Sequence, residues 1–247
     1  MDVAYRLIPE ATVPQMQGDV KRAIVWLKRN AARYGVDPRK IVLSGGSAGS
    51  HLALLAAYAP CHPLFTPQDV ADEDLSVRGV VAFYNAGDYR QESRPDTRKT
   101  PWQETVTRLL TGTLERISGA KVPVQENGDW DPKLFLGPET AQARGGLAQE
   151  YRQGWPEMYR QISPITHVGP HTPPTLQIVG AHDVYSAAAP AAALQKALAA
   201  AGAPSVMLQI PRTDHAFDLF FPQHSPAAQT AMYDVDRFLA LLAGDAA

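Results

Sequence analysis

The sequence predicts an α/β fold in which a mostly parallel sheet is flanked by helices. Two observations lead to this fold class. Short β-branched runs alternate with longer amphipathic or Ala-rich segments, which is the order expected when helices cross over between parallel strands. The chain also has 247 residues, of which 45% are hydrophobic, and this is enough to bury one large core. We therefore expect a single domain over residues 1–247.

The predicted elements in the first part of the chain begin with a strand over residues 2–7. An amphipathic helix follows over about 18–34, because apolar residues recur there at steps of three and four. A short β-branched strand at 41–43 leads into a Leu- and Ala-rich helix at 51–59. After a polar loop comes the strand 79–85, which completes the first half of the predicted core.

The pattern becomes irregular over residues 86–166, which contain most of the tryptophans and one amphipathic segment at 101–117. A long insertion of this kind usually forms a lid or a binding element, and its aromatic content argues against disorder. We interpret it as a cap on a core made of residues 1–85 and 167–247. The second half of that core contains predicted strands at 175–180 and 205–210, and predicted helices at 187–201 and about 226–242.

The segment IVLSGGSAGSHLA, residues 41–53, contains a Gly-x-Ser-x-Gly pentapeptide centred on Ser47. The pentapeptide alone arises too often by chance to identify a nucleophile. Its position between a strand and a helix predicts a tight turn, in which Gly45 and Gly49 avoid clashes with both elements. The Ala48 backbone N–H would then lie at a helix N-terminus, where it could donate to a developing oxyanion.

Two further residues follow predicted strands at the same edge of the sheet. Asp183 lies just past the strand 175–180, and His215 just past the strand 205–210. A serine hydroxyl needs a base to take its proton, and an imidazole does this best when a carboxylate orients it. The sequence therefore predicts a triad of Ser47, Asp183 and His215, in the chain order nucleophile, acid, base.

Alternatives stay open at each position. Ser47 could be only a small turn residue, and Asp183 could cap the next helix, in competition with Ser186. Asp214 could supply the acid, although neighbouring side chains on an extended loop point apart. His51 lies on the helix after the serine, near enough to influence it. We predict that five residues near these strand ends bind substrate, and each of them could instead be an ordinary core residue. They are Gly46, Tyr84, Asn85, Val184 and Phe217.

Composition argues against several classes of protein. The formal net charge is -2 and no basic cluster is present, so we expect no nucleic-acid partner. The chain lacks a long apolar run and a signal-peptide pattern, which predicts no membrane span and a cytoplasmic location. Cys61 is the single cysteine and excludes an internal disulfide; we interpret it as small apolar filler. We expect neither a metal nor a cofactor.

The sequence resembles the hormone-sensitive-lipase-like esterases and the feruloyl-esterase-like relatives among the α/β-hydrolases. The segments that carry the resemblance are YRLIPE at 5–10, residues 19–53, PPTLQIVGAHDVYS at 173–186 and RTDHAF at 212–217. The resemblance implies an α/β-hydrolase fold, with Ser47 as nucleophile, Asp183 as orienting acid and His215 as general base. It also implies hydrolysis of a small-molecule carboxylic ester through an acyl-enzyme, without a cofactor.

The sequence departs from these relatives in two places. Gly46 precedes the serine and Ser50 follows the last glycine, where many lipase-like members have Gly-Asp-Ser-Ala-Gly-Gly. This elbow is closer to feruloyl-esterase-like and arylformamidase-like members, so the resemblance leaves ester or amide open. The family's His-Gly-Gly-Gly loop and first strands would precede the YRL segment. We hypothesise that this chain is a fragment, has a wrongly assigned start or has a rearranged sheet. If the chain acts as it stands, the loss of oxyanion donors would lower the rate about 10²-fold or more.

The leading prediction is therefore a serine carboxylesterase with a cap over its site. An amidase, arylformamidase or peptidase using the same triad is the alternative among enzymes. The alternative outside enzymes is a catalytically impaired binding protein with the same fold.

Overall fold

The structure is a computed structural model, and it describes residues 1–7, 10–85, 87–88, 109, 112, 116, 157–183, 188–219 and 222–244. Within these ranges four strands form one sheet: β1 (Val42–Gly46), β2 (Gly79–Phe83), β3 (Thr175–Gly180) and β4 (Ser205–Ile210). The strands are adjacent in chain order, and every neighbouring pair is parallel. All four carboxyl ends therefore lie at the same edge of the sheet. The predicted α/β class with a parallel sheet is confirmed.

Helices flank this sheet. The α-helices in the described ranges are α1 (Val13–Arg29), α2 (Ala31–Tyr34), α3 (Ala48–Tyr58), α4 (Glu157–Ile162), α5 (Ala188–Ala200) and α6 (Pro226–Ala243), and short 3-10 helices lie at Pro38–Lys40, Gln68–Val70 and Pro164–His167. Three apolar clusters meet the sheet: α3 and α5 pack on β2, α6 packs on β2, β3 and β4, and α1 packs on α3. No described helix combines the length and apolarity needed to cross a bilayer.

The two central strands set where the core lies. Every residue of β2 and of β3 is buried, whereas β1 is only partly buried because it forms an edge of the described sheet. Helix α3 packs against β1 and β2 and is buried along nearly its whole length, with Leu54 and Leu55 fully inaccessible. This burial holds the start of α3 next to the carboxyl ends of β1 and β2.

The predicted strand at 2–7 is wrong. These residues form no strand, because a strand requires a hydrogen-bonding neighbour and none of the four described strands pairs with this segment. Side chains attach it to α1 and α3 instead. Arg6 forms a bidentate ion pair with Asp19 at 2.8 and 2.9 Å, and Tyr5 packs in the cluster that joins α1 to α3.

The predicted helix over 18–34 begins too late. Helix α1 starts at Val13, where Thr12 and Gln15 form a reciprocal capping box and Pro14 occupies the first turn. The helix breaks at Asn30, and α2 then ends at Tyr34, where Gly35 with φ 64° forms a left-handed cap. The interpretation of Cys61 as buried filler is also wrong, since that side chain is exposed in the turn after α3.

Lys21 is a buried cation that ties α1 to the end of α3. Its side chain is fully inaccessible, and Nζ donates to the carbonyl of Ala59 at 2.8 Å and to Oγ1 of Thr66 at 2.9 Å. Burial lowers the pKa of the ammonium from 10.5 to about 8. A cation near the carbonyl end of a helix interacts favourably with the helix dipole, so Lys21 stabilises the end of α3 opposite Ser47.

The predicted cap lies largely outside the described residues. Within 101–117 the structure describes only residues 109, 112 and 116, which are helical. The return from the insertion is described from residue 157 onward and contains α4 and the 3-10 turn at Pro164–His167. Val184 also lies outside the described residues, so its predicted contact with substrate stays a prediction.

Candidate active site

The turn between β1 and α3 has the backbone that a nucleophile elbow requires. Ser47 has φ 52° and ψ -119°, a conformation that residues with a Cβ rarely adopt. Its N–H donates to the carbonyl of Phe83 at 3.1 Å, which ties the turn to the end of β2. The Ser47 side chain is exposed, and the next residue, Ala48, begins α3. The Ala48 amide therefore lies at the positive end of the helix.

The sequence predicts that this turn needs glycine at 45 and 49, whereas the structure shows close approaches at Gly45 and Gly46. A Cβ at Gly45 would clash with the backbone carbonyl of Gly49 and lie 2.8 Å from the amide nitrogen of Ser50, so Gly45 fits its prediction. A Cβ at Gly46 would lie 2.5 Å from the Tyr84 hydroxyl. At Gly49 the same atom would meet only the Tyr5 hydroxyl at 3.9 Å, an ordinary contact. The close approaches therefore fall at the two glycines before the serine.

The predicted acid and base are in contact. Nδ1 of His215 lies 2.8 Å from Oδ2 of Asp183, whose side chain is fully inaccessible. When the Nδ1–H donates to this carboxylate, Nε2 is the ring nitrogen left to accept a proton. Asp214 accepts a hydrogen bond at 2.7 Å from the His215 backbone N–H, so the ring's own carboxylate partner is Asp183. The contact supports Asp183 in the predicted role of orienting acid.

The loops that carry this pair are joined through their backbones. The N–H of Ala181 donates to the carbonyl of Ile210 at 2.9 Å, and the N–H of His182 donates to the carbonyl of Thr213 at 3.0 Å. A Cβ at Gly180 would lie 2.8 Å from the carbonyl carbon of Thr213, so only glycine permits the two loops to approach this closely. The segment after β3 and the segment after β4 therefore hold the acid against the base.

Four of the residues predicted to bind substrate are described, and three of them lie near this pair or the elbow. Tyr84 is 3% exposed and packs its ring against the rings of His215 and Phe217 at centroid distances of 4.5 and 6.0 Å. Asn85 is fully inaccessible, and its Nδ2 donates to Oε1 of Gln177, inside β3, at 3.1 Å. Gly46 lies under the Tyr84 hydroxyl. Their contact with substrate stays a prediction.

His51 connects the helix after the elbow to the return from the insertion. Its Nε2–H donates to the carbonyl of Ile162 at 2.7 Å, and its backbone N–H donates to the carbonyl of Ser47 at 3.1 Å. Burial lowers the pKa of this imidazole from 6.5 to about 4, although the hydrogen bond to Ile162 opposes the shift. The sequence places His51 near the serine but gives no signal for the contact with Ile162, which is more than a hundred residues away in the chain.

Among the described residues, no group of three or more His, Cys, Asp or Glu side chains could hold a metal ion. The predicted lack of a metal or cofactor stays a prediction. Asp218, whose negative charge helps to raise the pKa of buried Tyr84, is a residue near the site that the sequence analysis missed. Its position three residues after His215 was the available signal.

Comparisons with known proteins identify relatives of this chain. A model of the BD-FAE family matches residues 1–124. The probable carboxylic ester hydrolase LipM of Mycobacterium tuberculosis is 30% identical over 96% of this chain and 46% of its own length. Esterase LipQ of the same organism is 29% identical over 99% of this chain and 48% of its own length. The chain therefore spans about half the length of these curated relatives.

A solved structure also aligns with the chain over most of its length. The apo form of Thermogutta terrifontis esterase 2 superposes with a TM-score of 0.65 at 21% identity, over 96% of this chain and 69% of that chain. At this level of identity, the likeness establishes a shared fold.

The glycine contacts predict opposite effects of two alanine substitutions in the elbow. We expect Gly45→Ala to lower the free energy of unfolding by about 1–3 kcal/mol, because the new Cβ overlaps backbone that cannot rotate away. We expect Gly49→Ala to raise it by up to about 1 kcal/mol, because alanine favours a helix and its Cβ has room. Urea unfolding of both variants and the parent measures the difference. Equal effects of the two substitutions would contradict the described packing.

Burial of His51 predicts a loss of stability in acid. The folded pKa of about 4 lies below the ordinary 6.5, so between these values the unfolded chain binds more protons. The contribution of His51 to the free energy of unfolding should therefore fall by up to about 3 kcal/mol as pH drops from about 6.5 to 4. Urea unfolding of wild type and His51→Gln across this range tests it, with the exposed His171→Gln as control. Parallel curves for wild type and His51→Gln would contradict the prediction.

Proposed function

The chain belongs to the BD-FAE family and has the α/β-hydrolase fold that the sequence predicts, and from this premise we propose that it hydrolyses small-molecule carboxylic esters at Ser47. The observation that carries the proposal is the contact of His215 with buried Asp183. Ser47, in its strained elbow, follows β1 at the same carboxyl edge of the parallel sheet. The relatives LipM and LipQ are named as a probable carboxylic ester hydrolase and an esterase, which agrees with this chemistry.

The proposed reaction has two halves. In the first, Nε2 of His215 takes the Ser47 proton while Oγ attacks the ester carbonyl, and the proton then passes to the leaving alcohol as the C–O bond breaks. In the second, His215 takes a proton from water, hydroxide attacks the acyl-enzyme, and the proton returns to Ser47. Asp183 holds the ring in the required tautomer and stabilises its positive charge in both halves.

The Ala48 amide supplies one donor for the oxyanion in this proposal. It begins α3, whose dipole places partial positive charge where the carbonyl oxygen gains negative charge. A preorganised donor of this kind acts without reorganisation during the reaction. Contact of Tyr84 and Phe217 with substrate, the absence of a nucleic-acid partner and a cytoplasmic location stay predictions.

Removing the nucleophile tests the proposal directly. We expect Ser47→Ala to lower kcat/KM on p-nitrophenyl esters by at least about 10³-fold, because no other group replaces the hydroxyl. Ser44→Ala removes another exposed serine hydroxyl, on β1 three residues before Ser47; it is the matched control and should turn over as wild type does. The same variants assayed on p-nitroanilides decide between an esterase and an amidase. If wild type hydrolyses neither the esters nor the anilides faster than Ser47→Ala does, the protein is not an enzyme for these substrates, and the binding-protein alternative is favoured.

The identity of the acid gives a second test. We expect Asp183→Asn to lower kcat by about 10³ to 10⁴-fold, because the amide favours the wrong imidazole tautomer. Asp214→Asn should cost much less, since an asparagine oxygen can still accept from the His215 backbone N–H. Ester turnover of the two variants at several pH values makes the comparison. A larger loss in Asp214→Asn would assign the acid to that residue instead.

A further inference from the structure

Ser50 is a buried residue in the first turn of α3 that the proposed mechanism does not use. The residue is fully inaccessible, and its hydroxyl donates to the carbonyl of Ser47 at 2.6 Å. The His51 backbone N–H donates to the same oxygen at 3.1 Å, which is the ordinary hydrogen bond of an α-helix. The Ser47 carbonyl therefore has two donors, and only one of them belongs to the helix backbone.

The carbonyl of Ser47 and the N–H of Ala48 belong to one peptide group. A trans peptide group is planar, and its carbonyl and its N–H point in opposite directions. A hydrogen bond that holds the Ser47 oxygen therefore also fixes the direction of the Ala48 N–H. This N–H is the donor that the proposed mechanism assigns to the oxyanion.

The strained backbone of Ser47 makes this direction depend on its partners. Ser47 has φ 52° and ψ -119°, and the angle ψ sets the plane that contains the Ala48 N–H. The peptide group before Ser47 is held by the bond from its N–H to the carbonyl of Phe83 at 3.1 Å. The Ser50 hydroxyl holds the peptide group that follows. A hydrogen bond weakens steeply as its angle closes, so a rotated Ala48 N–H would stabilise the oxyanion less.

The geometry points to Ser50 as a positioning residue that directs the Ala48 N–H at the oxyanion; this inference rests on the proposed function. The alternative is that the hydroxyl only strengthens the first turn of α3. Removing it should not unfold the protein, because alanine favours a helix more than serine does and the Ser47 carbonyl keeps its bond from His51. A loss of rate in a folded Ser50→Ala variant would therefore report on the direction of the N–H.

An ester and its thiono analogue, in which sulfur replaces the carbonyl oxygen, separate the two roles. Sulfur is a weak hydrogen-bond acceptor, so a donor directed at oxygen stabilises it less. We expect Ser50→Ala to lower kcat on p-nitrophenyl acetate about tenfold, with KM changed less than about twofold, and to lower kcat on the thiono analogue less than about threefold. Tyr58→Phe removes another buried hydroxyl of α3, bonded to Thr175 at 2.8 Å, and should match wild type on both substrates.

The direction of the N–H bond can also be measured by NMR without turnover. Serine labelled at its carbonyl carbon and alanine labelled at nitrogen select the Ser-Ala peptide groups, which occur at 47–48 and 186–187, and the signal lost in Ala48→Gly identifies the first. In an aligned sample, the residual dipolar coupling of this N–H depends on its direction. We expect the coupling to change in Ser50→Ala and to match wild type in Tyr58→Phe. Thermal melts check folding, and Ser50→Cys, whose thiol is a weak donor, replaces Ser50→Ala if that variant unfolds.

The outcomes separate the two proposals. An unchanged dipolar coupling in Ser50→Ala, wild-type kcat on the ester, or equal losses on the ester and its thiono analogue would each overturn the positioning role. A wild type without Ser47-dependent turnover would overturn the proposed function alone, and the dipolar coupling would then decide whether Ser50 directs the Ala48 N–H. A changed coupling together with a loss of kcat confined to the oxygen ester supports both.

Discussion

The positive φ at Ser47 is the constraint on which the rest of the site depends. A chain that turns from β1 into α3 within one residue must bring the first turn of the helix back over the strand, and the absence of a side chain at Gly45 permits this approach. The turn fixes the position of the Ala48 amide. It also places the carbonyl of Ser47 where the His51 amide can bond to it, so the helix continues directly from the elbow.

Burial of helix α3 determines where charged groups lie along it. A buried helix cannot rely on water to satisfy its ends, so the free carbonyls after Tyr58 need donors within the protein. The Lys21 ammonium is such a donor at Ala59. His51, inside the helix, is held neutral by burial near neutral pH. The positive end of the helix dipole therefore remains at Ala48, which suits an anion forming at the elbow.

Local signals in the sequence predict the elements whose ends depend on nearby residues. The strands 175–180 and 205–210 agree with β3 and β4, because both are short apolar runs with turn residues at their ends. The start of α1 also had a local signal, the capping pair of Thr12 and Gln15, which the apolar spacing beginning at 18 obscured. The segment 2–7 has alternation typical of a strand, but strand formation depends on a partner that local alternation cannot supply.

The site shows the same division between local and distant signals. Ser47, Asp183 and His215 each follow a strand, as the sequence predicts, and the rule that ligands collect at strand carboxyl ends makes all three candidates. The contacts of Tyr84 with His215 and of His51 with Ile162 join segments far apart in the chain, and residue spacing carries no information about them. The positive φ at Tyr84 has no sequence signal either, because aromatic residues rarely adopt a positive φ and the apolar pattern predicts a strand as far as residue 85.

Backbone contacts hold the segment that carries Asp183 against the segment that carries His215. The hydrogen bonds from Ala181 and His182 to the segment after β4, together with the close approach at Gly180, make the two loops one unit. These contacts therefore fix Asp183 and His215 relative to each other. The elbow belongs to β1 and β2, whereas this unit belongs to β3 and β4. Tyr84 follows β2 and lies beside both Gly46 and the ring of His215, so it contacts the half of the site that carries Ser47 and the half that carries Asp183 and His215.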